Sequence, residues 1–160
     1  MLGATGTIGR ATVRALVARG HEVVCFVRAT SIRSDATRDL AGTTVRTGDV
    51  TDPASIARDG FRGERFNAIV SCMASRTGTP TDAWAIDHQA HLHALHVAQQ
   101  QGVTQMVLLS AICVQKPRLA FQHAKLAFEQ ALMASGITYS IVRATAYFKS
   151  LSGQVERVRR

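Results

Sequence analysis

The stretch Met1-Leu2-Gly3-Ala4-Thr5-Gly6-Thr7-Ile8-Gly9 decides how the rest of the chain is read. It sets three glycines, separated by two residues each, where a short apolar start gives way to a helical pattern. A backbone that turns sharply and comes close to a pyrophosphate cannot carry Cβ atoms at the contact points, and glycine has none. The helix that follows offers unpaired N–H groups and the positive end of its dipole to an anion. Gly3, Thr5, Gly6, Thr7, Ile8 and Gly9 are therefore the expected phosphate contacts of a dinucleotide. A glycine triplet alone is a weak signal, so the reading depends on what surrounds it.

What surrounds it is a regular alternation of strand and helix. A helix is expected from about Gly9 to Arg19, with Val13, Leu16 and Val17 as its apolar stripe and Gly20 at its end. His21 to Val27 is a near-continuous apolar run of the kind found in buried parallel strands. Thr43 to Thr47 is rich in β-branched residues and reads as the next strand. Asp52-Pro53 opens a short helix ending near Gly60, with Asp52 as N-cap and Pro53 in the first turn. Ala68 to Met73 reads as a strand and Ser75 to Thr81 as a loop. A long helix is expected over 82–101, a strand over 105–112, a helix over 119–135 and a last strand over 138–143. The whole predicts one α/β domain, residues 1–160: a Rossmann-type doubly wound parallel sheet with helices on both faces. The strand before the glycine turn has only Met1 and Leu2, and no substrate lobe follows the sheet. The chain is therefore expected to be an NAD(P)-binding fragment cut at both ends, with little activity alone.

Bulk properties narrow the field. The 160 residues are 46% hydrophobic and 19% charged, an ordinary globular composition. The sequence has no apolar run of membrane-spanning length and no secretory leader. Cys25, Cys72 and Cys113 are odd in number, with no short-spaced pair, and read as reduced core residues rather than disulfides or a zinc site. The net charge is +8, but the basic residues are scattered and no nucleic-acid-binding motif accompanies them. A basic surface also suits an anionic cofactor. His88, His91, His93 and His96 crowd the long helix, yet no two are four apart, and no metal site is expected. Trp84 reads as core or substrate-lobe packing rather than a catalytic platform.

The strand ends carry the candidate chemistry. Arg28 stands where an acidic residue would bind the ribose 2′-OH of NAD; its guanidinium suits the 2′-phosphate of NADP, with Thr30, Ser31 and Arg33 as further donors. Asp49 and Val50 fit an adenine contact, although Asp49 equally suits an Asx-type turn. Cys72, Met73 and Ala74 lie where the ribose and pyrophosphate would pass, although Cys72 and Met73 equally suit plain core. Ser110 ends a strand, and eleven residues later Phe121-Gln122-His123-Ala124-Lys125 puts Phe121 and Lys125 on one helix face. Many reductases of this architecture place Ser, Tyr and Lys in this way. Here the tyrosine position is phenylalanine, which has no proton to transfer. Lys125 remains as a nicotinamide-ribose contact and candidate proton relay.

Several longer stretches then match a known family. They are Leu2 to Gly9, Ser71-Cys72-Met73-Ala74-Ser75-Arg76-Thr77-Gly78, Leu109-Ser110-Ala111-Ile112-Cys113-Val114-Gln115-Lys116-Pro117, Phe121 to Lys125, and Tyr139 to Gly153. On these the chain resembles the atypical short-chain dehydrogenase/reductases, and within them the NADPH-dependent divinyl chlorophyllide a 8-vinyl reductases of plants and phototrophic bacteria. The resemblance implies reduction of a tetrapyrrole vinyl group to ethyl in chlorophyll biosynthesis. It implies a protein of the bacterial cytoplasm or the plastid, with peripheral membrane association open. It also implies that Ala144 and Thr145 lie beside the nicotinamide, and it adds Tyr147 to Lys125 and water as candidate proton donors. Ala144 stands where the family is expected to have proline, which would loosen that loop. Two alternatives stay open: a non-catalytic NmrA-like NAD(P)-binding sensor or assembly factor, and an atypical reductase of another conjugated alkene or a quinone.

Overall fold

The computed structural model describes residues 1–31 and 40–145. Strands β1 (Val24–Val27), β2 (Thr44–Thr47), β3 (Ala68–Ser71), β4 (Gln105–Ala111) and β5 (Thr138–Ala144) are all parallel. β1 pairs with β2, and β3 with β4 and β4 with β5. The two groups are joined by Met1 and Leu2. The Leu2 N–H donates to the Val70 carbonyl at 2.8 Å, and its carbonyl accepts from Cys72 at 3.0 Å. On the other side the Met1 carbonyl accepts from the Phe26 N–H at 3.0 Å. Leu2 thus occupies the centre of the order β2-β1-Leu2-β3-β4-β5, where the winding of the sheet reverses. In an open parallel sheet that reversal opens a crevice at the C-terminal strand ends.

Alternation along β1 divides the core between the two faces. Cys25 and Val27 point to one face, where they pack with Ala4, Val23, Leu40 and Val13 of α1 (Thr7–Ala18). Phe26 points to the other, with Ile56, Ile69, Met106, Phe128 and Leu132 among the larger cluster.

The helices start where local chemistry allows. The Asp52 carboxylate accepts from Ala54 N–H at 2.9 Å and Pro53 fills the first turn of α2 (Pro53–Ser55), which widens into a π-helical segment, Ile56–Phe61. The long helix begins earlier than expected, at α3 (Pro80–Ala83). Its N-cap is Thr79, whose hydroxyl accepts from the Asp82 N–H at 3.3 Å. It is also not uniform. A π-helical segment, Trp84–Ala90, precedes α4 (His91–Gln100). In α5 (Ala120–Ala134) the Gln122 side chain closes the first turn by accepting from the Leu119 N–H at 3.1 Å. The buried face of α5 holds Ala124, Phe128 and Leu132, together with Lys125 and Glu129. Glu129 is fully buried and takes a bidentate contact from Arg143 on β5, 2.6 Å at the closest.

Three sequence expectations need correcting. The strand expected from His21 begins at Val24, because His21 and Glu22 are exposed and unpaired in the sheet. Cys113 is exposed rather than core, in a turn after β4 with φ of 67°, a region few non-glycine residues adopt. Trp84 is 44% exposed and meets the His88 ring edge-on at 5.2 Å, which removes the core half of its expected core or substrate-lobe packing.

Candidate functional site

The glycine turn lies at the sheet reversal, and its three glycines are constrained differently. Gly3 has φ of +71°, and a Cβ there would sit 2.5 Å from the backbone carbon of Cys72. A Cβ on Gly9 would collide with the Gly3 carbonyl. These two glycines hold the end of β3 and α1 tightly against the turn. At Gly6 a Cβ would meet only the Gly3 carbonyl, at 3.5 Å. Gly6 is exposed and is the N-cap of α1, and no side chain caps that helix. The first-turn N–H groups are therefore left without a side-chain cap, beside an exposed residue that has no side chain. That is the shape and polarity a pyrophosphate requires, so the residues present fit a dinucleotide.

The other expected residues gather along the same edge. Arg28 follows β1 directly and is exposed, with Thr30 and Ser31 in the 3₁₀ turn Ala29–Ser31. Asp49 is exposed after β2. Its Oδ1 accepts from the Thr51 hydroxyl at 2.7 Å and the Thr51 N–H at 2.8 Å, an Asx turn that leaves Oδ2 open. Those bonds hold its carboxyl below the usual carboxylate range. Val50 beside it is buried. After β3, Cys72 is half-buried with its sulfur 3.8 Å from the Thr12 hydroxyl, and burial pushes its thiol up. Met73 is buried and Ala74 exposed. Ser110 is the penultimate residue of β4, paired in register with Arg143. It is 5% exposed, and its hydroxyl has no hydrogen-bond partner among the described residues. A buried unpaired hydroxyl at a strand end is a second feature suited to a polar ligand group. Ala144 ends β5, and Thr145 follows it, exposed. Arg33 and Tyr147 lie outside the described residues.

Lys125 is not an ordinary surface lysine. It is 6% exposed, and its Nζ lies 3.0 Å from Oδ1 of Asp87, whose side chain is fully buried. Phe121, one turn earlier, is partly exposed. Sequence reasoning missed Asp87, which has no motif around it and is paired with a residue far along the chain. It also missed His91. The His91 Nδ1 faces the Ile86 carbonyl at 2.8 Å, so that nitrogen carries the proton. Nε2 then accepts from the Ser71 hydroxyl at 2.8 Å. Burial, reinforced by the Lys125 charge, lowers the His91 pKa to about 4 and keeps the ring neutral. Among the described residues no group of three or more His, Cys, Asp or Glu is arranged to hold a metal, and no helix is long and apolar enough to cross a membrane.

Comparison with known proteins agrees with this geometry. The family model described as NAD(P)H-binding matches residues 3–160. The chloroplastic divinyl chlorophyllide a 8-vinyl-reductase of Zea mays is 48% identical over 98% of this chain and 42% of its own length. The photosystem II assembly factor Ycf39 of Synechocystis sp. is 26% identical over 96% of this chain and 46% of its own. The chain thus spans less than half the length of these curated relatives. Among solved structures, Bordetella bronchiseptica WbmG in complex with NAD and UDP superposes with a TM-score of 0.75 at 21% identity. It covers 89% of this chain and 51% of that one.

Proposed function

The chain belongs to the NAD(P)H-binding family, and from that premise we propose that its protein is an NADPH-dependent reductase of a carbon–carbon double bond. Its substrate is a tetrapyrrole, divinyl chlorophyllide a, whose C8 vinyl group becomes ethyl. It acts in a plastid or in the cytoplasm of a phototrophic bacterium. The observation that carries the reading is the likeness to the maize 8-vinyl-reductase, which runs through nearly the whole chain.

The residues support it in the following way. Bound NADPH supplies a hydride. The turn around Gly6 holds the pyrophosphate, and Arg28 with Thr30 and Ser31 holds the 2′-phosphate. Asp49 and Val50 flank the adenine, and Cys72, Met73 and Ala74 line the path between. Lys125, Ser110, Ala144 and Thr145 orient the nicotinamide half over the substrate. Phe121 has no proton to give. Reducing an alkene develops no alkoxide, so the step needs no phenol at that position. The proton that completes the ethyl group comes from Lys125, Tyr147 or water.

A second reading, a dinucleotide-binding assembly factor without turnover, is favoured by the likeness to Ycf39 and by Phe121 itself. One experiment separates the two. The complete gene product is incubated with NADPH and divinyl chlorophyllide a, and the Soret band is followed. A shift to the monovinyl position supports the reductase. Tight NADPH binding with no shift supports the assembly factor and overturns the reductase.

A further inference from the structure

A lysine with its ammonium almost out of solvent must have a counter-ion, because an isolated buried charge is strongly unfavourable. Asp87 provides it from a different element. Lys125 sits on α5 and Asp87 in the π-helical segment before α4, and the charged atoms are 3.0 Å apart. For packing alone this would be a poor choice. An apolar pair of similar volume is often as stable as a buried ion pair or more so. What the pair does provide is a fixed position. A free lysine head samples many rotamers on a four-carbon stem, whereas here one of its three N–H donors is committed to Asp87 and two are left for a ligand.

Asp87 is itself held. Its two carboxylate oxygens lie 3.4 Å and 3.3 Å from the Ser75 N–H, in the loop that follows β3 and Cys72. π-Helical turns recur at functional sites because they re-aim side chains that a regular helix would place elsewhere. His91, one turn on, is neutral and anchored to Ser71, so it does not compete for the carboxylate.

We infer that Asp87 is a positioning residue, whose buried carboxylate fixes the Lys125 ammonium toward the nicotinamide-side ribose of the dinucleotide. This rests on the reading that Lys125 contacts that ribose. It goes beyond that reading by assigning the element that makes the contact possible.

The test compares two ligands, NADPH and adenosine 2′,5′-bisphosphate, which has the adenosine half but no nicotinamide ribose. Dissociation constants are measured for the chain and for Lys125→Met, Asp87→Asn, Asp87→Glu and the Asp87→Asn/Lys125→Met double variant. Lys125→Met and Asp87→Asn are each expected to weaken NADPH about tenfold and to leave the bisphosphate within about twofold. The double variant is expected to bind NADPH no more weakly than Lys125→Met, and Asp87→Glu to recover part of the loss. If Asp87→Asn weakens both ligands equally, its role is structural and the inference falls. If it changes neither while Lys125→Met weakens NADPH, the inference falls but the ribose reading stands. If Lys125→Met leaves NADPH binding unchanged, the ribose reading itself fails. Should Asp87→Asn not fold, with its ammonium orphaned, Asp87→Glu and the double variant decide by the same two ligands.

Discussion

A methyl group added at Gly9 strikes the Gly3 carbonyl, whereas one added at Gly6 meets only that carbonyl, at an ordinary contact distance of 3.5 Å. The two glycines therefore separate folding from binding. Gly9→Ala is expected to destabilise the chain by at least about 2 kcal/mol, as overpacking against backbone does. Gly6→Ala is expected to cost less than about 1 kcal/mol, the scale of an N-cap change. The Gly6 variant should nevertheless bind NADPH at least about tenfold more weakly, because its methyl takes the space of the pyrophosphate. Urea denaturation and a fluorescence titration check the two halves. Arg28 gives a second test at this scale. Arg28→Ala should weaken NADPH by about tenfold or more and leave NADH little changed, since only NADPH carries the 2′-phosphate. Equal loss for both ligands would remove the 2′-phosphate role. The placement of the glycine turn and of Arg28 was legible in the sequence, because it depends on residue type and on where the strand ends. Asp87 was not, because its importance comes from a partner 38 residues away that only the fold brings near. Cys113 was misread because apolar neighbours in sequence do not make a buried turn.

At the scale of elements, buried polar contacts tie the helical layer to the sheet. Glu129 on α5 reaches Arg143 on β5, and His91 at the start of α4 reaches Ser71 at the end of β3. The second tie is pH-sensitive. The folded pKa of His91, about 4, lies below the ordinary 6.5, so below pH 6.5 the unfolded chain binds the proton more readily. The stability associated with the neutral ring is present above pH 6.5 and is lost as pH falls from 6.5 toward 4, by about 3 kcal/mol in all. His91→Gln keeps a hydrogen-bonding side chain but cannot titrate, and should flatten the stability profile in that window. An unchanged slope in the variant would assign it to other groups. The helix and strand order was legible from periodicity, and Asp52-Pro53 marked a helix start by capping chemistry alone. The π-helical Trp84–Ala90 was not legible, because a widened segment of seven residues is too short to show a period of its own. The long helix starts at Pro80 rather than Asp82, because Thr79-Pro80 carries the same start signal as Asp52-Pro53.

For the whole molecule, the parallel order with Leu2 at its centre puts the strand ends that carry expected cofactor residues on one edge. That arrangement follows from strand direction: in a parallel sheet all C-terminal ends share an edge, so Arg28, Asp49, Cys72 and Ser110 lie along it without being neighbours in sequence. The dinucleotide fold was therefore readable from the alternation and the glycine turn together. The substrate was not readable from geometry and entered through the likeness of longer stretches to vinyl reductases. The most direct test of the account is the fate of the hydride. NADPH carrying two deuterium atoms at nicotinamide C4 is supplied to the complete gene product with divinyl chlorophyllide a, and the monovinyl product is examined by mass spectrometry. Direct transfer predicts one deuterium in the new ethyl group and one hydrogen from solvent. A product without deuterium, or no product while NADPH remains bound, would contradict it.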